Sequence, residues 1–111
     1  MKKEFLLELK DKLSEKFNDF NGMYFYGSRV KRTNKKNSDY DLALIFGSLN
    51  YEKELEIAGV VTSFEYHYNI FIDYKTLTLK GSKSFLNIKK NINPLFVKEI
   101  QDTGIFYERT R

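Results

Sequence analysis

A chain of 111 residues has room for one small domain and one core, and the expected organisation is a single domain over 1–111. It is 41% hydrophobic and 31% charged, with ten Phe and eight Tyr to fill a small interior. A net charge of +4 is compatible with nucleotides, nucleic acid or an acidic partner, and the lack of any cysteine excludes disulfides and thiolate metal sites.

Residues 3–17 are predicted as an amphipathic helix, because Phe5, Leu6, Leu9, Leu13 and Phe17 recur at helical spacing with charges between them. Glu8, Lys10 and Asp11 interrupt that stripe, and no long apolar run occurs elsewhere. Neither a signal peptide nor a membrane span is expected, and the cytoplasm is the default location. Asn21-Gly22 marks a turn, and Met23 to Tyr26 is a short apolar run of the kind a buried strand shows.

Gly27 ends that strand. With no Cβ it lets backbone approach a ligand closely, and Ser28 adds a small hydroxyl and an N–H, both suited to a phosphate oxygen. Arg29, Lys31, Arg32, Lys35 and Lys36 make the next loop basic. Arg29 is the member most suited to phosphate, since it follows Ser28 directly. A second strand is predicted over Asp39 to Phe46. The side-chain period of two puts Asp39, Asp41, Ala43 and Ile45 on one face and Tyr40, Leu42, Leu44 and Phe46 on the other. Two neighbouring carboxylates on one face repel unless a cation lies between them, and hard oxygen ligands suit Mg²⁺.

Tyr51 to about Tyr66 is predicted as a second helix, weakened by Gly59 and the β-branched Val60, Val61 and Thr62. Tyr68 to Tyr74 reads as a third strand and Thr76 to Lys83 as a polar turn. Asp73 lies in an otherwise apolar stretch, where a carboxylate is costly unless paired, hydrogen-bonded or metal-bound. Phe85, Leu86, Ile88 and Ile92 suit a short helix or irregular cover. Asn93-Pro94 announces a last helix, which Gly104 stops as a C′ residue. Ile105 to Tyr107 is predicted as an edge strand, and Glu108 to Arg111 as a frayed tail. His67, the single histidine, has no nucleophile motif around it.

Gly27-Ser28, ten residues, then Asp39-Tyr40-Asp41 resembles the signature of the DNA-polymerase-β-like nucleotidyltransferases. Gly27-Ser28-Arg29 and Ser38 to Leu42 resemble more closely the minimal nucleotidyltransferase (MNT) branch. The resemblance runs on through Phe71-Ile72-Asp73 and Asn93-Pro94-Leu95 to Gly104 and Glu108. One position departs from it: Arg32 stands where that branch usually has a glycine.

The resemblance implies an α/β (α+β) nucleotidyltransferase fold, with a small mixed sheet of three to four strands flanked by helices. It implies Asp39, Asp41 and Asp73 as catalytic residues and as ligands of two Mg²⁺ ions, and Gly27, Ser28 and Arg29 as the nucleotide cradle. It also implies transfer of AMP from ATP to a hydroxyl. In the MNT branch that hydroxyl belongs to a tyrosine of a partner HEPN RNase toxin, so the chain is expected to act as an antitoxin. A silent antitoxin that neutralises by binding, and a small nucleic-acid-binding module using the basic loop, stay open. No stable nucleic-acid complex is expected, and a homo-oligomer stays open.

Overall fold

The computed structural model describes residues 4–27, 39–78 and 94–111. In chain order these form α1 (Glu4–Lys16), β1 (Phe20–Tyr26), β2 (Tyr40–Phe46), α2 (Tyr51–Tyr68), β3 (Ile72–Thr78), α3 (Pro94–Thr103) and β4 (Ile105–Glu108). The strands make one mixed sheet in the order β3-β2-β1-β4. β1 runs antiparallel to both β2 and β4, whereas β2 and β3 are parallel and joined through α2. The expected mixed sheet flanked by helices is therefore present, with four strands.

The two sheet faces differ in what covers them. On one, α1 and α2 bury Phe5, Leu9, Leu13, Ile57 and Val61 against Met23, Phe25, Leu42, Leu44 and Phe46. On the other, α3 lays Val97 and Ile100 over Tyr26 and Ala43. The alternation of β2 is thus as the sequence predicts. β1 reaches this arrangement through a register shift between Phe20 and Gly22. The extra residue lets Phe20 join Met23 and Phe25 on one face despite the odd spacing.

α2 forms in spite of its poor intrinsic propensity. Asn50 caps it by accepting the Lys53 N–H at 2.8 Å, and Val60 and Val61 are buried in the core. Gly59 points into open space, so it fills no packing role. The helix runs two residues past its predicted end and stops at Asn69, which adopts a left-handed conformation (φ 54°) and donates its N–H to the Glu65 carbonyl.

That stop displaces the third strand. β3 begins at Ile72 rather than Tyr68 and continues to Thr78, through residues whose polarity suggests a turn. An edge strand with one open side tolerates such residues, and Thr78 Oγ1 donates to the Gly47 carbonyl.

The C-terminal residues are not frayed. Arg109 donates through its guanidinium to the carbonyls of Ser14, Asn18 and Phe20, and Thr110 N–H donates to Ser14 Oγ at 2.9 Å. A cation over the last turn of α1 also opposes that helix's negative end. α3 does end before Gly104, but not through a left-handed glycine, since only Gly22 and Gly27 have positive φ among the described glycines. Gly104 is required by space: a Cβ there would lie 2.4 Å from the Ile100 carbonyl oxygen.

Candidate active site

The carboxylates gather where β1 ends and β2 and β3 begin. Tyr26, Asp41 and Asp73 are register partners across β1, β2 and β3, so they stand abreast in one row. Neighbouring strands lie about 4.8 Å apart, and paired residues point to the same face. Asp39, exposed, stands one residue before β2, on the face of Asp41 by the strand period.

The electrostatics reflect this crowding. Burial first, then the charges of Asp73 and Asp39, push the Asp41 carboxyl up from 3.8 to about 6, with Lys75 opposing. Burial and the same Asp41 and Asp73 charges raise the Tyr26 phenol above its ordinary value. Both groups also feel Glu99, which α3 brings to the site. A cluster whose central acid is held toward its neutral form by burial and then by neighbouring acids would be favoured by added positive charge. The donor set, all carboxylate oxygen, fits a hard divalent cation such as Mg²⁺. Among the described residues, no three acidic or histidine side chains already stand in a metal-holding arrangement. Asp41 and Asp73 are brought together by register, and Asp39 lies within reach of Asp41's charge.

Gly27 adjoins this row. Its φ is +91°, and a Cβ would stand 2.3 Å from Asp41 Oδ2, so both the backbone conformation and the close carboxylate require glycine. Its buried N–H donates to Thr103 Oγ1 at 2.9 Å, and that hydroxyl donates to the Glu99 carbonyl at 2.8 Å. The end of α3 is thereby fastened to the turn. Ser28 and Arg29, the other two expected members of the cradle, lie outside the described residues.

Thr103 and Glu99 escape motif reading because neither belongs to the Gly-Ser or Asp-x-Asp pattern. A weak signal exists for Thr103. It follows Ile100 by three residues, on the buried stripe of α3, where a hydroxyl needs a partner.

A groove of about 390 Å³ lies on the helical side of the sheet, beside Glu8, Phe64 and Tyr68. Its one carboxylate, Glu8, already accepts the Tyr68 hydroxyl, so nothing there matches the acid row in chemistry.

The family model for polymerase β nucleotidyltransferases matches residues 8–110. Among curated proteins, no sequence matches significantly. Among solved structures, a mutant form of the toxin-antitoxin MntA-HpeT is similar with a TM-score of 0.63 at 13% identity, over 98% of this chain and 74% of that one. A toxin-antitoxin structure with AMP-PNP is similar with a TM-score of 0.60 at 15% identity, over 100% of this chain and 76% of that one. The toxin-antitoxin MntA-HepT itself gives 0.56 at 13% identity, over 97% and 70%. At such identities the likeness is one of fold.

Proposed function

The chain belongs to the polymerase β nucleotidyltransferase family, and from that premise we propose that it transfers AMP from ATP to a tyrosine hydroxyl of a partner HEPN RNase toxin and so acts as its antitoxin. The observation that carries the reading is the register pair Asp41 and Asp73 beside the left-handed Gly27 turn, with the central carboxyl held near 6 by burial and its acidic neighbours. A structural likeness to toxin-antitoxin proteins, one of them with AMP-PNP, supports the nucleotide and the partner class.

The proposed chemistry is an in-line nucleotidyl transfer. Gly27, Ser28 and Arg29 would cradle the phosphate tail of ATP, Gly27 by shaping the turn, since its own N–H is taken by Thr103. Asp39, Asp41 and Asp73 would hold two Mg²⁺ ions, which would supply neutralising charge for the phosphate oxygens. The tyrosyl oxygen attacks the α-phosphorus. One P–O bond forms as the bond to the α,β-bridging oxygen breaks, and pyrophosphate leaves with that electron pair. The phenolic proton passes to Asp73, the acid on the outer strand. The product is a phosphodiester between AMP and the tyrosine.

The test is intact-mass measurement of the HEPN partner after incubation with this protein, ATP and Mg²⁺. The expected result is a gain of one AMP residue, lost with a D39N/D41N double variant. No gain with pure proteins, or full protection of cells by the double variant, overturns the reading in favour of neutralisation by binding.

A further inference from the structure

Phe71 is a large apolar side chain left 65% exposed at the rim of a site built from carboxylates. Its neighbours in sequence face the other way, since Ile70 and Ile72 are both buried in the core beneath α1 and α2. The strand period therefore turns Phe71 to the face of Asp73. Its backbone is fixed there, because the Tyr40 N–H donates to the Phe71 carbonyl at 2.9 Å. The pair Tyr40 and Ile72 opens the parallel register, so Phe71 stands beside Asp39, one step out from the Asp41–Asp73 pair.

Strand order then decides what it meets. The Gly27 turn ends β1, the acid pair spans β2 and β3, and Phe71 leads into β3 on the far flank. It is two strands, roughly 10 Å, from the line of β1. In-line displacement at phosphorus needs the entering and leaving oxygens on opposite sides. With the leaving phosphates held at Gly27, the acceptor enters from the β3 flank, which is where the exposed ring lies.

We propose that Phe71 is the acceptor-docking residue, its ring packing against the tyrosyl side chain of a partner polypeptide as that hydroxyl enters the site. This rests on the transfer reading above and deepens it: the outer face of β3 selects an aromatic hydroxyl over an aliphatic one. An aromatic pair prefers offset or edge-on packing, which places the phenol oxygen of the incoming tyrosine beyond the ring, toward the acids.

The test uses N-acetyl-tyrosinamide as the acceptor probe and glycerol as an aliphatic hydroxyl control, with ATP and Mg²⁺. The F71A variant is expected to raise the KM for the tyrosyl probe by about tenfold while the KM for ATP stays within about twofold. F71W, which keeps an aromatic face, restores the acceptor KM. The chain has no tryptophan, so the indole of F71W is also its sole fluorophore of that kind. Its emission is expected to respond to the tyrosyl probe and not to ATP with Mg²⁺. That response reads docking even where no AMP is transferred, whereas absence of AMP-modified probe with the wild-type protein counts against the transfer reading alone. An unchanged acceptor KM in F71A, an F71W response confined to ATP, or no F71W response at all overturns the proposal; a response to ATP alone would assign the ring to the nucleobase.

Discussion

Asp41 is the residue on which the charges of the site converge. Its carboxyl is raised to about 6 in the folded protein, against 3.8 for a free side chain. Between about pH 4 and pH 6 the unfolded chain has released this proton and the folded chain has not. Stability of the metal-free protein therefore falls as pH rises through that window and levels off above it. The upper bound of this loss is about 3 kcal/mol, and partial exposure reduces it toward about 1–2 kcal/mol. D41N is expected to recover that amount above about pH 7, to gain nothing near pH 4, and to lose transfer activity. Urea unfolding across pH checks it; a variant less stable than wild type at neutral pH contradicts the account.

Gly27 carries a second prediction at this scale. In G27A the new Cβ meets Asp41 Oδ2, and the left-handed backbone is strained besides. The expected cost is about 1–3 kcal/mol, with loss of ATP binding by calorimetric titration.

At the scale of elements, α3 is tied to the turn by one hydroxyl. T103V removes the acceptor of the buried Gly27 N–H, which is expected to cost about 1–3 kcal/mol. It should also speed hydrogen exchange at the Gly27 amide. T103S, which keeps the hydroxyl, is expected to restore both, and unchanged exchange in T103V would show that the bond does not hold the turn. The C-terminal strand is tied down in a similar way. R109A removes three charge-assisted bonds to carbonyls near the end of α1 and is expected to cost about 2 kcal/mol, read as a lowered Tm.

These two ties mark the boundary of what local sequence shows. α1 was legible within one residue at each end, because a helical stripe of five apolar residues has one reading. β2 and its two faces were legible from a period of two. β3 was displaced by four residues, since its start depends on the left-handed cap at Asn69 and its polar end on an edge position. Neither is written in hydrophobic pattern. The adjacency of Asp41 and Asp73 followed from motif resemblance, yet the bonds from Thr103 to Gly27 and from Arg109 to the end of α1 join residues 76 and more apart. Contacts of that separation depend on the assembled fold.

For the molecule as a whole, the sheet divides labour between its faces. One buries the larger core under α1 and α2, while the other packs Tyr26 and Ala43 against α3 and carries the acid row at its strand ends. No helix among the described residues is long and apolar enough to cross a membrane. The acids lie where β1 ends and β2 and β3 begin. In the proposed function this end of the sheet moves a nucleotidyl group. The most direct measurement is a paired incubation of the HEPN partner with ATP radiolabelled at either the α- or the γ-phosphate. The expected outcome is α-label on the partner protein, γ-label only in released pyrophosphate and unreacted ATP, and neither transferred by D41N. Label from the γ-phosphate on the partner, or no α-label with the wild-type protein, would contradict it.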